Sequence, residues 1–178
     1  MRRVIFVFAL TLAAIAAAPD RAAVAQDGRP ANDDFVDGVV ANLDRDSRRV
    51  LFEFSETTEG ATLEENEPQP CGDLGATVWF GLHAPWNTSF EISTEGSDFQ
   101  TSVAVYAITE FMPSPPGDSL ELIDSACGTD EAPQAALSRP LDPSRRQLFA
   151  IQVGGVEGAS GELRFTISCS AVCPPPND

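Results

Sequence analysis

Residues 148–169 read LFAIQVGGVEGASGELRFTISC, and this stretch sets the fold class. From Leu148 to Val153 the chain is apolar on both faces, and the run stops at Gly154-Gly155. Gly158 to Gly161 are turn formers, after which Leu163, Phe165, Ile167 and Cys169 alternate with Arg164, Thr166 and Ser168. A short apolar run bounded by glycines reads as a strand buried on both sides, and period-two alternation reads as a strand with one wet face.

The same period recurs upstream. Val50, Phe52 and Phe54 oppose Glu53 and Ser55, and Phe90 and Ile92 oppose Glu91 and Ser93. Val78, Phe80 and Leu82 share a face, with Trp79, Gly81 and His83 pointing the other way. Thr101 to Ile108 is apolar on both faces, as expected of a central strand, and Leu120 to Ile123 reads as a short strand. Between these runs lie Glu59-Gly60, Ala84-Pro85, Glu95-Gly96, Pro113 to Gly117 and Asp142-Pro143, all turn chemistry. The pattern predicts one all-β domain, a jelly-roll-like antiparallel β-sandwich of about 7–9 strands, with a single barrel as the alternative.

Arg2 and Arg3 precede an uncharged apolar run from Val4 to Ala18, and Ala23-Val24-Ala25 is an A-x-A cleavage pattern. Residues 1–25 are therefore expected to be a signal peptide and 26–31 a short polar leader. The apolar run falls short of the ~20 residues that span a bilayer, so a retained anchor is the weaker reading. The domain is expected over 32–170, followed by a Pro-rich tail over 171–178, where Pro174, Pro175 and Pro176 exclude a sheet interior. An exported chain of this kind is secreted, extracellular or periplasmic, with no membrane span after cleavage.

The 178 residues carry 27 acids against 11 basic residues, a net charge of −16, and every basic residue is arginine. Such a surface repels phosphate backbones, which argues against nucleic acid as partner and leaves divalent cations or basic partners as attracted species. Cys71, Cys127, Cys169 and Cys173 are even in number. In an oxidising compartment they predict two disulfides, and the absence of a C-x-x-C pair together with a single histidine argues against zinc. Three pairings are open; Cys71–Cys127 with Cys169–Cys173 is the one favoured.

Catalytic chemistry is not expected. His83 would have to serve any hydroxyl nucleophile such as Ser89, yet the chain has no nucleophile elbow, P-loop, dinucleotide fingerprint or metalloprotease helix. A two-carboxylate hydrolase site needs only one suitable acid pair, but the acids fall in loops and on wet faces and no pair stands out. Calcium is the better match to the composition. Asn32-Asp33-Asp34 places three oxygen-bearing side chains at the domain entrance, with Asp98, Asp130, Glu56 and Glu59 as further candidate ligands; a turn or cap is the competing reading of the triplet. Trp79 and Trp86 are candidates for a stacking platform, unless they close the core. Asn87-Thr88-Ser89 matches a glycosylation sequon, relevant only in a host that uses it.

Four segments in order are similar to the bacterial pre-peptidase C-terminal (PPC) domain, an accessory module found beside secreted proteases and collagenases. They are ANDDF at 31–35, TTEGATLEENEPQPCGDLGATVWFGLHAP at 57–85, GSDFQTSVAVY at 96–106 and FAIQVGGVEGASGELRFTI at 149–167. The resemblance implies a jelly-roll-like sandwich without catalytic activity, a ligand such as collagen or a glycan, and a calcium site that includes Asn32, Asp33 and Asp34. Tyr106 belongs to the third segment and joins Trp79 and Trp86 as a candidate ligand contact. The chain departs from the family at Gln100, where a second Asp is usual, and at Gly128-Thr129, where N-D-D is usual. Both departures remove oxygen charge from loops. The expected partner is an extracellular polymer, or else another exported protein.

Overall fold

A computed structural model of the chain describes residues 28–41, 43, 50–83, 88–109, 116–141 and 148–169. Its strands are β1 (Val39–Val40), β2 (Val50–Thr57), β3 (Leu74–His83), β4 (Thr88–Ser93), β5 (Thr101–Ile108), β6 (Leu120–Cys127), β7 (Ala136–Leu141), β8 (Leu148–Val156) and β9 (Glu162–Cys169). One helical turn, α1 (Pro116–Ser119), precedes β6, and a 3-10 turn covers Phe35–Asp37. The sequence segments assigned to the signal peptide, residues 26–27 of the leader and the C-terminal tail lie outside the described residues.

Four antiparallel pairs are nested: β2 with β9, β3 with β8, β4 with β7, and β5 with β6. This is one long hairpin, rolled so that β4 also pairs with β9 and β5 with β8. Two sheets result, in the orders β1-β3-β8-β5-β6 and β2-β9-β4-β7. That connectivity is a jelly roll, and the all-β sandwich expected from the alternation is what the chain forms. Short β1 adds a parallel pairing to β3, matching Val39 with Phe80.

The inward faces make the main core. Val78, Phe80 and Leu82 of β3, Val103 and Val105 of β5, and Ile151 and Val153 of β8 meet Phe90 and Ile92 of β4 and Leu163, Phe165 and Ile167 of β9. Phe80 stacks on Phe165 with centroids 4.2 Å apart and planes 15° from parallel, while Phe54 meets Phe80 edge-on at 4.9 Å. Burying one such ring contributes about 1.5–3 kcal/mol, and the ring geometry adds about 0.5–1.5 kcal/mol.

The two-sided strands have a second reason for being apolar. On the far face of the five-stranded sheet, Trp79, Ala104, Tyr106 and Ala150 form a separate small core with Phe35, Ile108 and Leu120 around it. Three segments cover it: the N-terminal stretch 28–38, the β2–β3 connection 58–73, and α1. The connection and α1 press together so closely that a Cβ on Gly117 would collide with the carbonyl of Asn66. We call the 58–73 connection the strap. Its far end is fixed by the Cys71–Cys127 disulfide, which ties it to the end of β6 with Cα atoms 5.6 Å apart.

Two sequence expectations change. β7 was not anticipated, because Pro140 and Arg139 interrupt the apolar pattern; as an edge strand it tolerates a proline, which pairs with Ser89. The latter half of the leader is part of the fold, since the Asp33 N–H donates to the Pro30 carbonyl and Arg29 ion-pairs with Asp33. The turn after β8 runs through left-handed Glu157 (φ 54°) and Gly158 (φ 80°), as its glycine-rich sequence predicts.

Candidate functional site

Asn32 begins the N-terminal cover. Its carbonyl accepts the Trp79 N–H at 2.9 Å and its Nδ2 donates to the Trp79 carbonyl at 3.1 Å, so one residue satisfies the edge of β3 just before β1 takes over. Asp33, fully buried, then staples the strap: Oδ1 accepts the Thr62 N–H at 2.5 Å and Oδ2 accepts the Thr62 hydroxyl at 2.9 Å. Oδ2 also accepts from Arg29 Nη1 at 2.8 Å, and the same nitrogen lies 3.9 Å from Oδ1 of half-exposed Asp34.

Further along the strap, Glu64 accepts the Phe35 N–H at 2.6 Å, which positions the Phe35 ring edge-on against Trp79 with centroids 5.1 Å apart. Glu67 accepts the Glu64 N–H at 2.7 Å and Gln152 Nε2 at 2.8 Å. Gln152 in turn accepts the Tyr106 hydroxyl at 2.9 Å. Burial pushes the carboxyls of Glu64 and Glu67 above the usual range, in Glu64 against the Phe35 hydrogen bond and with Asp34, Asp33 and Asp37 adding repulsion. Burial and the neighbouring Glu67 likewise push the Tyr106 phenol up. These acids are engaged in holding backbone and amide donors, an arrangement that fastens a strap.

Of the candidate ligand contacts, Trp79 and Tyr106 lie in the interior, so Trp79 follows the core reading rather than the stacking one. Each is 1 % exposed, because the strap and the N-terminal stretch cover the sheet face they occupy. Trp86 lies outside the described residues. His83 ends β3 with its side chain exposed.

The candidate metal ligands are not gathered. Asn32 is paired with Trp79 of β3, Asp33 holds the strap through Thr62, half-exposed Asp34 lies beside Arg29, Asp98 Oδ1 accepts the Glu162 N–H of β9 at 2.8 Å, and Asp130 is exposed in the β6–β7 connection. Among the described residues no group of three His, Cys, Asp or Glu side chains is placed to hold a metal ion. Within the Asn32-Asp33-Asp34 triplet, Asn32 Oδ1 is buried without a donor, and a single amide oxygen falls far short of the six to eight that calcium takes. Both oxygens of Asp33 are already occupied by donors, so the triplet does not fit calcium in this arrangement.

Glu56 points between the sheets from edge strand β2, its Oε1 buried without a partner and its carboxyl raised by burial. Cys71 and Cys127 pair as favoured from sequence. Cys169 is also disulfide-bonded, and Cys173 lies outside the described residues. No helix among the described residues is long and apolar enough to cross a membrane.

With one sheet covered, the outer face of the four-stranded sheet is the broad wet surface. Glu53 and Ser55 of β2, Arg164 and Thr166 of β9, Glu91 and Ser93 of β4 and Ser138 of β7 lie on it. Register aligns Glu53, Thr166 and Ser93 in one row, and Ser168, Glu91 and Ser138 in the next. Sequence alternation identifies most of these residues as outward, but only the strap's cover of the opposite sheet singles this face out.

The chain is thus a disulfide-linked all-β sandwich in which one sheet is capped and the other is open. No family model, curated protein or solved structure matches it.

Proposed function

We propose that the protein is an exported, non-catalytic binding or accessory module of the PPC kind, acting on an extracellular polymer. The observation that supports this reading is the open four-stranded face. Adjacent strands sit about 4.8 Å apart, so rows of hydroxyls and carboxylates there form a flat, regular hydrogen-bonding surface. A glycan, rich in hydroxyls and extended along one axis, is the polymer that such a surface complements best; a collagen-like chain is the second, from the resemblance alone. With Trp79 and Tyr106 buried, recognition on this face rests on polar groups.

Docking of a protein partner by strand addition has less support. Edge β7 carries Pro140, and edge β2 turns the Glu56 carboxylate inward, both features that discourage pairing with another strand.

Co-sedimentation with cellulose, chitin, peptidoglycan and insoluble collagen tests the reading. Retention on one polymer, lost in Glu91→Arg and in Ser93→Arg while the melting temperature holds, is the expected result. Failure to be retained by any of them would sink polymer binding and favour a protein partner, to be sought by co-purification.

A further inference from the structure

We propose that Arg29 and Gln100 do internally what a bound cation would do, so that the fold is locked without calcium. This inference is independent of the polymer reading, since it concerns only how the N-terminal cover and the loops are held. Asp33 is 3 % exposed and lies with Asp34 and Asp37 close enough to Glu64 to raise its carboxyl, a cluster of four acids that calls for a cationic partner. Arg29 supplies it from four residues away, with one nitrogen at 2.8 Å from Asp33 and 3.9 Å from Asp34. Thr62 adds an N–H on Oδ1 and a hydroxyl on Oδ2, so both oxygens of Asp33 already hold donors. A calcium ion entering here would have to compete with donors on both carboxylate oxygens, including a charge-assisted bond to a side chain already tethered by its own chain.

Gln100 makes the same substitution at the other loop cluster. Its Nε2 donates to the Gly128 carbonyl at 2.8 Å, joining the β4–β5 connection to the β6–β7 connection. A carboxylate at position 100 would face that carbonyl acceptor to acceptor and would need a cation between them; an amide carries its own hydrogen.

The consequence is a clasp that works equally in calcium-rich and calcium-free surroundings. Calorimetric titration of the purified protein with calcium chloride, and thermal melts in millimolar calcium and in chelator, test it. For the natural chain we expect no saturable heat and the same Tm in both. Arg29→Met should melt roughly 2–6 °C lower in chelator and recover on adding calcium, because it takes the cation away from Asp33 Oδ2 and Asp34 Oδ1. Arg29→Lys, which keeps the charge, should stay indifferent to calcium. Stoichiometric calcium binding by the natural chain overturns the proposal, as does an Arg29→Met variant that is as stable as the natural chain or whose loss calcium leaves untouched. Should Arg29→Met fail to fold, the titration of the natural chain and the Arg29→Lys melts decide the matter.

Discussion

Gln152 Nε2 donates to Glu67 Oε1 at 2.8 Å, tying a carboxylate of the strap to the middle of the five-stranded sheet. Gln152 is the polar residue in the otherwise apolar β8, and it is 1 % exposed. Through it the Tyr106 hydroxyl, the strap and the Phe35–Trp79 contact become one connected unit. A buried network of this kind fixes where a cover sits better than apolar contact alone, since each member has few alternative partners.

Glu67 makes stability depend on pH. Burial raises its folded carboxyl above the ordinary 4.5, so the folded state holds a proton that the unfolded chain has lost. Its contribution is fully present below pH 4.5 and is lost as pH rises through the folded value. Melting temperature should therefore fall from pH 4.5 towards neutrality, with Glu64 and the overall negative charge acting in the same direction. Glu67→Gln should flatten part of that slope. An unchanged slope in the variant would place the dependence elsewhere.

The Cys71–Cys127 bridge spans 56 residues of sequence. Closing a loop of that size is worth about 4 kcal/mol by the chain-entropy relation. The Cys71→Ala, Cys127→Ala double variant should lose close to this amount in denaturant melts. Hydrogen exchange should rise first in the strap rather than in β5 and β8, because the bridge anchors one end of the strap.

Phe165 lies at the centre of the aromatic cluster, stacked on Phe80 and 0 % exposed. Phe165→Ala should cost about 3–5 kcal/mol, through lost transfer energy and the cavity left between the sheets. Substitution of Thr166, its neighbour on the wet face, by Ser should change stability by less than about 0.5 kcal/mol. Chemical denaturation of the two variants side by side measures the contrast.

Trp79 is a core residue, and its fluorescence should report that. The chain has two tryptophans, so Trp86→Phe leaves Trp79 as the sole indole. Its emission should be blue-shifted and resistant to acrylamide quenching. Phe35→Ala should redden the emission by loosening the cover, and polymer retention should survive that change.

Much of this molecule follows from the sequence alone. Period-two alternation names the inward residues Val78, Phe80, Phe90, Ile92, Phe165 and Ile167, because in a pleated strand neighbouring side chains must point to opposite faces. Even cysteine count favours disulfides, and turn chemistry limits the elements to short strands. Local pattern is silent on what covers a sheet. Alternation leaves Trp79 open to a stacking or a core role, and Tyr106 stands in a run apolar on both faces with no partner named for its far face; both are dry because the strap, polar in sequence and fixed by Asp33, Glu64, Glu67 and Cys71, lies across them. The same holds for Asn32-Asp33-Asp34, whose oxygens suit a metal in sequence but find their donors in Thr62, Trp79 and Arg29 once the chain is folded. Periodicity acts between neighbours in the chain, whereas Thr62 and Trp79 are brought to Asp33 and Asn32 across sequence separations of 29 and 47 residues, which only tertiary packing can specify.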